Sequence, residues 1–211
     1  VKIISLGNGS TQKVISKTNL SKFNIPIPKS PEKNQYWVDK ISAPFNEKND
    51  KQKLLENLEQ EVLDRVKFIS ENEECEKLTI KEICDISKGS GVVKEQRTGG
   101  KFPYYASNGH ISGSYMNKYN KEGTFILLAE DGTIGSKHYI KDGTKIYVGD
   151  HVHILKTKNI SCYFIYLSLN LVNFDIYTTG SVIPKLNKRN LEKIKLSIPK
   201  NKKLIAELEP K

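Results

Sequence analysis

One stretch of this chain occurs twice. Residues 9–29 align with residues 180–200 at an offset of 171: Gly9-Ser10 matches Gly180-Ser181, Lys17 matches Lys188, and Asn19-Leu20 matches Asn190-Leu191. Lys22 matches Lys193, and Pro28-Lys29 matches Pro199-Lys200. Phe23, Ile25 and Ile27 fall opposite Ile194, Leu196 and Ile198. Apolar residues at every second position, closed by proline, predict the last strand of a globular unit that meets a following helix. The repeat restricts the fold, because the two copies must end their units in the same way. On this reading the chain is about one structural period, and residues 1–31 are the tail of a preceding copy.

Charge is the second constraint. The 211 residues carry a net +10. Between residues 46 and 77 six Lys/Arg stand against ten Asp/Glu, a net of −4, whereas residues 78–200 hold eighteen against ten, a net of +8. An acidic segment followed by a basic one implies two jobs, with the basic part facing a polyanion. The alternative is a lysine-rich surface that reflects only a compositional bias. No run of about eighteen apolar residues and no leader of charged, apolar and small residues is present, so a soluble cytoplasmic protein away from membranes is expected. Cys75, Cys84 and Cys162 form no Cys-x-x-Cys pair and suit small apolar roles in a reducing compartment.

Periodicity divides the chain further. Residues 34–42 would make a short helix that Pro44 ends or kinks. Asn49 with Gln52 resembles a capping box opening a helix to about Ile69. Its apolar positions Leu55, Leu58, Val62, Val66 and Ile69 step by 3, 4, 4 and 3, a seam for another helix, while the other faces are charged. Packing of that seam on its own domain is the alternative. After Leu78, short β-prone runs at 124–128, 136–140, 145–147 and 151–155 alternate with glycine turns, and residues 161–171 make an apolar helix. The expected class is α+β: a mixed domain of short strands and a few helices, with a long projecting coiled-coil-type helix.

Motifs of catalysis are missing. There is no phosphate-binding Gly-x-x-x-x-Gly-Lys-Ser/Thr loop, and Gly89-Ser90-Gly91 lacks the third glycine of a dinucleotide fingerprint. No proline sits in the Asn/Asp-Pro-Pro-Tyr/Phe context of base-methylating enzymes. His151 and His153 alternate and would share a strand face, but no third ligand is near, so strand packing explains them better than a metal. Glu130-Asp131 reads as the start of a turn that needs a positive φ at Gly132. Ser136, Lys137 and His138 lack the spacing of a nucleophile and its base. A noncatalytic chain without metal or cofactor is expected.

Five blocks in order carry a family resemblance: Leu78 to Gly89, Phe102 to Gly113, Ile126 to Gly135, Val148 to Leu155, and Thr179 to Leu186, with Asn57-Leu58-Glu59-Gln60-Glu61 before them. Together they resemble the DNA specificity subunit of Type I restriction-modification systems. The resemblance implies recognition domains held apart by antiparallel spacer helices, each domain reading one half of a split target in double-stranded DNA. It implies a DNA methyltransferase (modification) partner that uses S-adenosylmethionine on adenine, and a restriction motor subunit in the complete complex. It divides the chain into 1–31, the tail of a preceding recognition domain; 32–77, a spacer helix region; 78–200, a target-recognition domain; and 201–211, the start of a second spacer helix. With one helix present, a homodimer paired through Leu55, Leu58, Val62, Val66 and Ile69 would complete the pattern.

Sequence readout requires side chains that reach base edges, and cations for phosphate. In residues 91–108, Arg97 would address guanine, Gln96 or Asn108 adenine, and Lys94 and Lys101 phosphates, with Tyr104, Tyr105 and Ser107 beside them. Core packing claims one of the two tyrosines. A second candidate loop, residues 177–189, offers Thr178, Thr179 and Ser181 around Gly180, with Lys185, Lys188 and Arg189 for charge. Part of it recurs in the upstream copy, as Gly9-Ser10 and Lys17, so a shared scaffold role for that part is the alternative to specificity. Lys137 is a third, weaker position. Two other readings stay open: a half-subunit that binds the modification subunit without reading DNA, and the C-terminal specificity part of a fused restriction-methylation enzyme.

Overall fold

A computed structural model of the chain describes residues 17–21, 24, 27–180 and 183–209. It divides into two compact units, residues 1–56 and residues 57–211, with the boundary inside one helix.

That helix differs from expectation. It runs unbroken over Pro31–Asn72 (α2), with Pro44 inside it. Its start is at Ser30, whose hydroxyl accepts from the Lys33 amide at 3.4 Å, with Pro31 in the first helical position. Proline is tolerated there because that N–H has no intrahelical partner, and the carboxylate of Glu32 suits the positive helix end. Pro44 removes one hydrogen bond from a 42-residue ladder, which the remaining turns carry through. Asn49 and Gln52 are therefore interior residues, and Gln52 donates to Glu56 one turn on at 3.1 Å.

The apolar seam is divided. In the first unit, Trp37, Ile41, Phe45 and Leu55 are exposed. In the second, Leu58 is exposed and Val62 half-buried, whereas Val66 and Ile69 are each 1% exposed and belong to that unit's own interior. Five free positions were expected; two are occupied by intramolecular packing.

The short helix Lys17–Ser21 (α1) covers the same stretch of the repeat as a later helix, Lys188–Leu191 (α5). The later copy continues into the predicted strand, Lys195–Pro199 (β10), and then a helix, Lys202–Ala206 (α6). In the first copy those strand positions are residues 24–28, of which 24, 27 and 28 are described and carry no strand, while 25 and 26 lie outside the described residues.

The second unit is built from two four-stranded sheets and a ribbon. Cys75–Thr79 (β1) pairs antiparallel with β10. Thr79 caps Ile80–Ile83 (α3) through a reciprocal capping box with Glu82, which leads into Cys84–Lys88 (β2). Phe102–Ala106 (β3), Gly109–Met116 (β4), Lys121–Glu122 (β5), Phe125–Ala129 (β6), Lys137–Ile140 (β7), Lys145–Val148 (β8) and Val152–Thr157 (β9) follow. One sheet has the order β2-β9-β6-β7, all antiparallel; the other is β4-β3-β8-β5, with β3 and β8 parallel. Cys162–Ser168 (α4), capped by Ser161, lies against the first sheet within the predicted apolar segment.

β6 is the centre of the unit, and all five of its residues are buried. Ile126 and Leu128 join Phe164, Ile165 and Leu169 on the helix side. Phe125 and Leu127 join Ile146, Val148 and Ile154 on the other. Both faces are covered, so the strand reads as a continuous apolar run rather than an alternating one. Each such side chain contributes about 1.5–3 kcal/mol when fully buried.

Where the two sheets meet, the backbones nearly touch. A Cβ on Gly89 would stand 2.1 Å from the Gly149 carbonyl oxygen, so only glycine fits there. This approach brings the loop after β2 against the loop after β8, at one end of both sheets.

Candidate nucleic-acid interface

At that end four segments of the chain line a cleft of about 410 Å³, through Gly91, Val92, Arg97, Tyr104, Ala106, Ser107, Asp131, Gly149, Asp150 and His151. β3 delivers Ser107, β6 delivers Asp131, and β8 delivers Gly149-Asp150-His151 immediately before β9. Gly132 has φ +72°, the conformation predicted for the Asp131-Gly132 turn.

Asp131 organises the centre. Its Oδ2 is 2.7 Å from His151 Nδ1 and 3.6 Å from Lys185 Nζ. Backbone bridges Asp131–Lys185 and Thr179–Lys185 bring in the loop over 177–189. The Leu186 amide donates to the Glu130 carbonyl at 2.8 Å, and the Glu130 carboxylate pairs with Lys88. Beneath this, His153 is fully buried, with Nε2 2.6 Å from the Leu186 carbonyl. His151 precedes the strand and is exposed, so the two histidines have different surroundings, contrary to the shared face expected. Burial pushes the His153 pKa down, which keeps the ring neutral with Nε2–H donating to Leu186.

The residues singled out in the sequence divide by role. Arg97 is half-buried: its guanidinium lies 4.2 Å over the Tyr104 ring and donates to the Val92 carbonyl at 2.6 Å. Tyr104 is 3% exposed and stacks on Tyr147, so it is the core tyrosine of the pair and does not offer its ring to a ligand. Tyr105 is half-buried on the opposite face, edge-on to His138. Lys94 and Gln96 are exposed on a short turn of 3-10 helix, Lys101 is exposed at the start of β3, and Ser107 and Asn108 form the β3–β4 turn.

In the second loop, Thr179, Lys185 and Arg189 are exposed. Thr178 is tied to the Asp175 carbonyl at 2.9 Å, and Lys188 reaches the Ile86 carbonyl at 3.1 Å. Each is thus hydrogen-bonded within the unit, and of the two only Lys188 belongs to the repeated stretch. Ser181 lies outside the described residues. Lys137 sits apart, half-buried over Phe174 at 5.9 Å, and burial pushes its pKa down.

Asp131, Asp150 and His151 were not among the candidates for DNA contact; the sequence assigns Asp131 to a turn and His151 to strand packing, because their meeting depends on loops distant in sequence. The assembled cleft presents guanidinium and ammonium donors beside carboxylate acceptors, the two chemistries that base edges require. Among the described residues no three His, Cys, Asp or Glu side chains gather as metal ligands do. No described helix is long and apolar enough to cross a membrane.

Comparison with known proteins follows the same lines. Residues 72–208 match the family described as Type I restriction modification DNA specificity domain. A Haemophilus influenzae protein carrying the description type I restriction enzyme specificity subunit is 34% identical over 106 residues, 49% of this chain and 27% of its own. A Mycoplasma pneumoniae type I specificity subunit is 30% identical over 128 residues, 57% of this chain and 34% of its own. The chain thus spans about a third or less of these relatives. The fold is similar to the crystal structure of the S subunit of a Type I restriction-modification system from M. genitalium, with TM-score 0.55 and 22% identity, covering 63% of this chain and 36% of that one. It is also similar to the HsdS subunit of Thermoanaerobacter tengcongensis, with TM-score 0.52 and 14% identity, covering 98% and 57%.

Proposed function

We propose, for a chain that belongs to the family of Type I restriction modification DNA specificity domains, that its second unit reads one half of a bipartite target in double-stranded DNA. The single observation that carries this reading is the convergence of Arg97, Ser107, Asp131 and His151 on one cleft, with Lys185 held at its edge by Asp131. Arginine donates to guanine, and carboxylates accept from the amino groups of cytosine or adenine. Exposed lysines around the cleft would supply the sequence-independent attraction to phosphate.

In this reading the chain performs no chemistry itself. A methyltransferase subunit, carrying S-adenosylmethionine, would modify adenine, and α2 would help to dock it; a restriction motor subunit would join in the full complex. The exposed Trp37, Ile41 and Phe45 in the first unit support a protein partner on the helix. A second copy of the chain could take part of that surface, through Leu55 and Leu58 and the aromatic positions before them rather than through Val66 and Ile69, which are already buried. Sedimentation of a monomer at high concentration would remove the homodimer from this scheme.

Methylome sequencing with and without the gene tests the reading. A split adenine-methylated motif should vanish on deletion. An unchanged methylome, together with no salt-dependent shift of duplex DNA by the purified chain, would favour a partner-binding half-subunit that does not read DNA.

A further inference from the structure

At the end of the β4-β3-β8-β5 sheet opposite the cleft, cations are seated on aromatic rings in a row. Lys101 Nζ lies 5.2 Å from the centre of the Phe102 ring. Phe102 meets Tyr119 edge to face, with ring centres 5.2 Å apart. Lys145 Nζ lies 4.9 Å from the centre of the Tyr119 ring. The row therefore runs from ammonium to ring to ring to ammonium, and both lysines are exposed.

Strand alternation puts this row on the same face as the cleft. Successive side chains of a strand point to opposite faces, so Lys145 and Tyr147 share one face of β8; β3 shifts register between Pro103 and Tyr105, so the face is followed along β8. The strands are parallel, with Tyr104 opposite Tyr147 and stacked on it at 6.1 Å, so the two faces are one. Tyr104 and Ala106 line the cleft. β8 thus begins with Lys145 in the aromatic row and runs to Gly149 at the cleft, roughly 13 Å along at about 3.3 Å per residue.

Backbone phosphate recurs along the whole of duplex DNA, so a contact away from the base-reading cleft meets it whatever the sequence. The negative ring faces attract the ammonium groups and restrict long, otherwise mobile side chains, which reduces the entropy lost when an anion binds. Among the described residues the one ion pair made by either lysine is Lys145–Glu122, at 3.5 Å and half in solvent.

We infer that Lys101 and Lys145, seated on Phe102 and Tyr119, form a second site for duplex DNA that binds backbone phosphate at the end of the sheet opposite the cleft where the bases are read. The inference rests on the DNA-recognition reading above and adds to it a contact independent of sequence.

The test measures binding of the full chain to a labelled duplex of random sequence at increasing KCl. Lys101→Ala with Lys145→Ala should lower the slope of log affinity against log salt by about two. Lys81→Ala with Lys202→Ala, exposed lysines on α3 and α6, removes the same charge and should leave the slope unchanged. Equal slopes for the two double variants would overturn the second site and leave the cleft reading standing. Absence of salt-dependent binding by the unaltered chain would remove the recognition reading and the second site together. Phe102→Leu with Tyr119→Leu keeps both charges, so the slope should persist while affinity falls about two- to five-fold. Undiminished affinity there would overturn the part assigned to the rings.

Discussion

Asp131 and Lys185 are joined twice. Their backbones form an antiparallel bridge, and Oδ2 of the one lies 3.6 Å from Nζ of the other. The bridge fixes where the loop over 177–189 meets the edge of the cleft, and the ion pair fixes where its ammonium points. Asp131→Ala should therefore cost little stability, about 1 kcal/mol or less, because Lys185 and His151 are both half in solvent. It should reduce affinity for the methylated motif more than for a scrambled duplex, in parallel melting and titration experiments. Equal losses on both would deny Asp131 any part in specificity.

Arg97 braces the loop after β2 as well as facing the cleft. Arg97→Lys keeps the charge but not the planar stack on Tyr104, so both it and Arg97→Ala should lower stability by about 1–2 kcal/mol in thermal melting. If the remaining donors read a base, Arg97→Ala also costs roughly 1–3 kcal/mol on the cognate duplex and little elsewhere. A uniform loss would leave Arg97 as a brace only.

Lys94 is exposed on its turn of 3-10 helix, free to meet phosphate. Lys94→Ala should weaken every duplex alike and reduce the salt slope by about one. A loss confined to the cognate sequence would instead make it a base reader.

Gly89 and Gly91 separate two kinds of crowding. A Cβ at Gly89 meets the backbone of Val148 and Gly149, which cannot withdraw, and Gly89→Ala should cost about 3 kcal/mol. At Gly91 the neighbour is the Asp150 carboxylate, 2.7 Å away on a side chain that can turn, so Gly91→Ala should cost about 1 kcal/mol or less. Chemical denaturation distinguishes them.

Burial lowers the pKa of both His153 and His138, the latter also through Lys137. Above the unfolded value of about 6.5 neither state is protonated, and these rings add no pH dependence to stability. As pH falls below it, the unfolded chain takes up protons that the fold resists, so stability falls. The melting temperature should drop between pH 7 and pH 5, and less steeply in His153→Gln. An identical drop in that variant would place the acid sensitivity elsewhere.

The strands around β6, β7, β8 and β9 were legible because each is a short β-prone run set off by a glycine-containing turn. The start of α2 was equally available in Ser30-Pro31-Glu32, but Pro44 and the pairing of Asn49 with Gln52 imitated a helix boundary. One broken hydrogen bond does not end a helix whose other turns are intact. Alternation shows that Tyr104 and Tyr105 face opposite ways, but not which way is inward. Tyr147, across the parallel pair with β8, decides that.

By itself the sequence determined the repeat, the strand and helix that close it, and the contrast between an acidic helix and a basic mixed domain. These depend on periodicity and composition, which act between near neighbours. Only the tertiary structure decided that Asp131, His151 and Lys185 meet, that Val66 and Ile69 are spent on the protein's own interior, and that Lys101 and Lys145 flank one aromatic pair. Each depends on strands brought together across long loops, and such pairings leave no periodic trace along the chain.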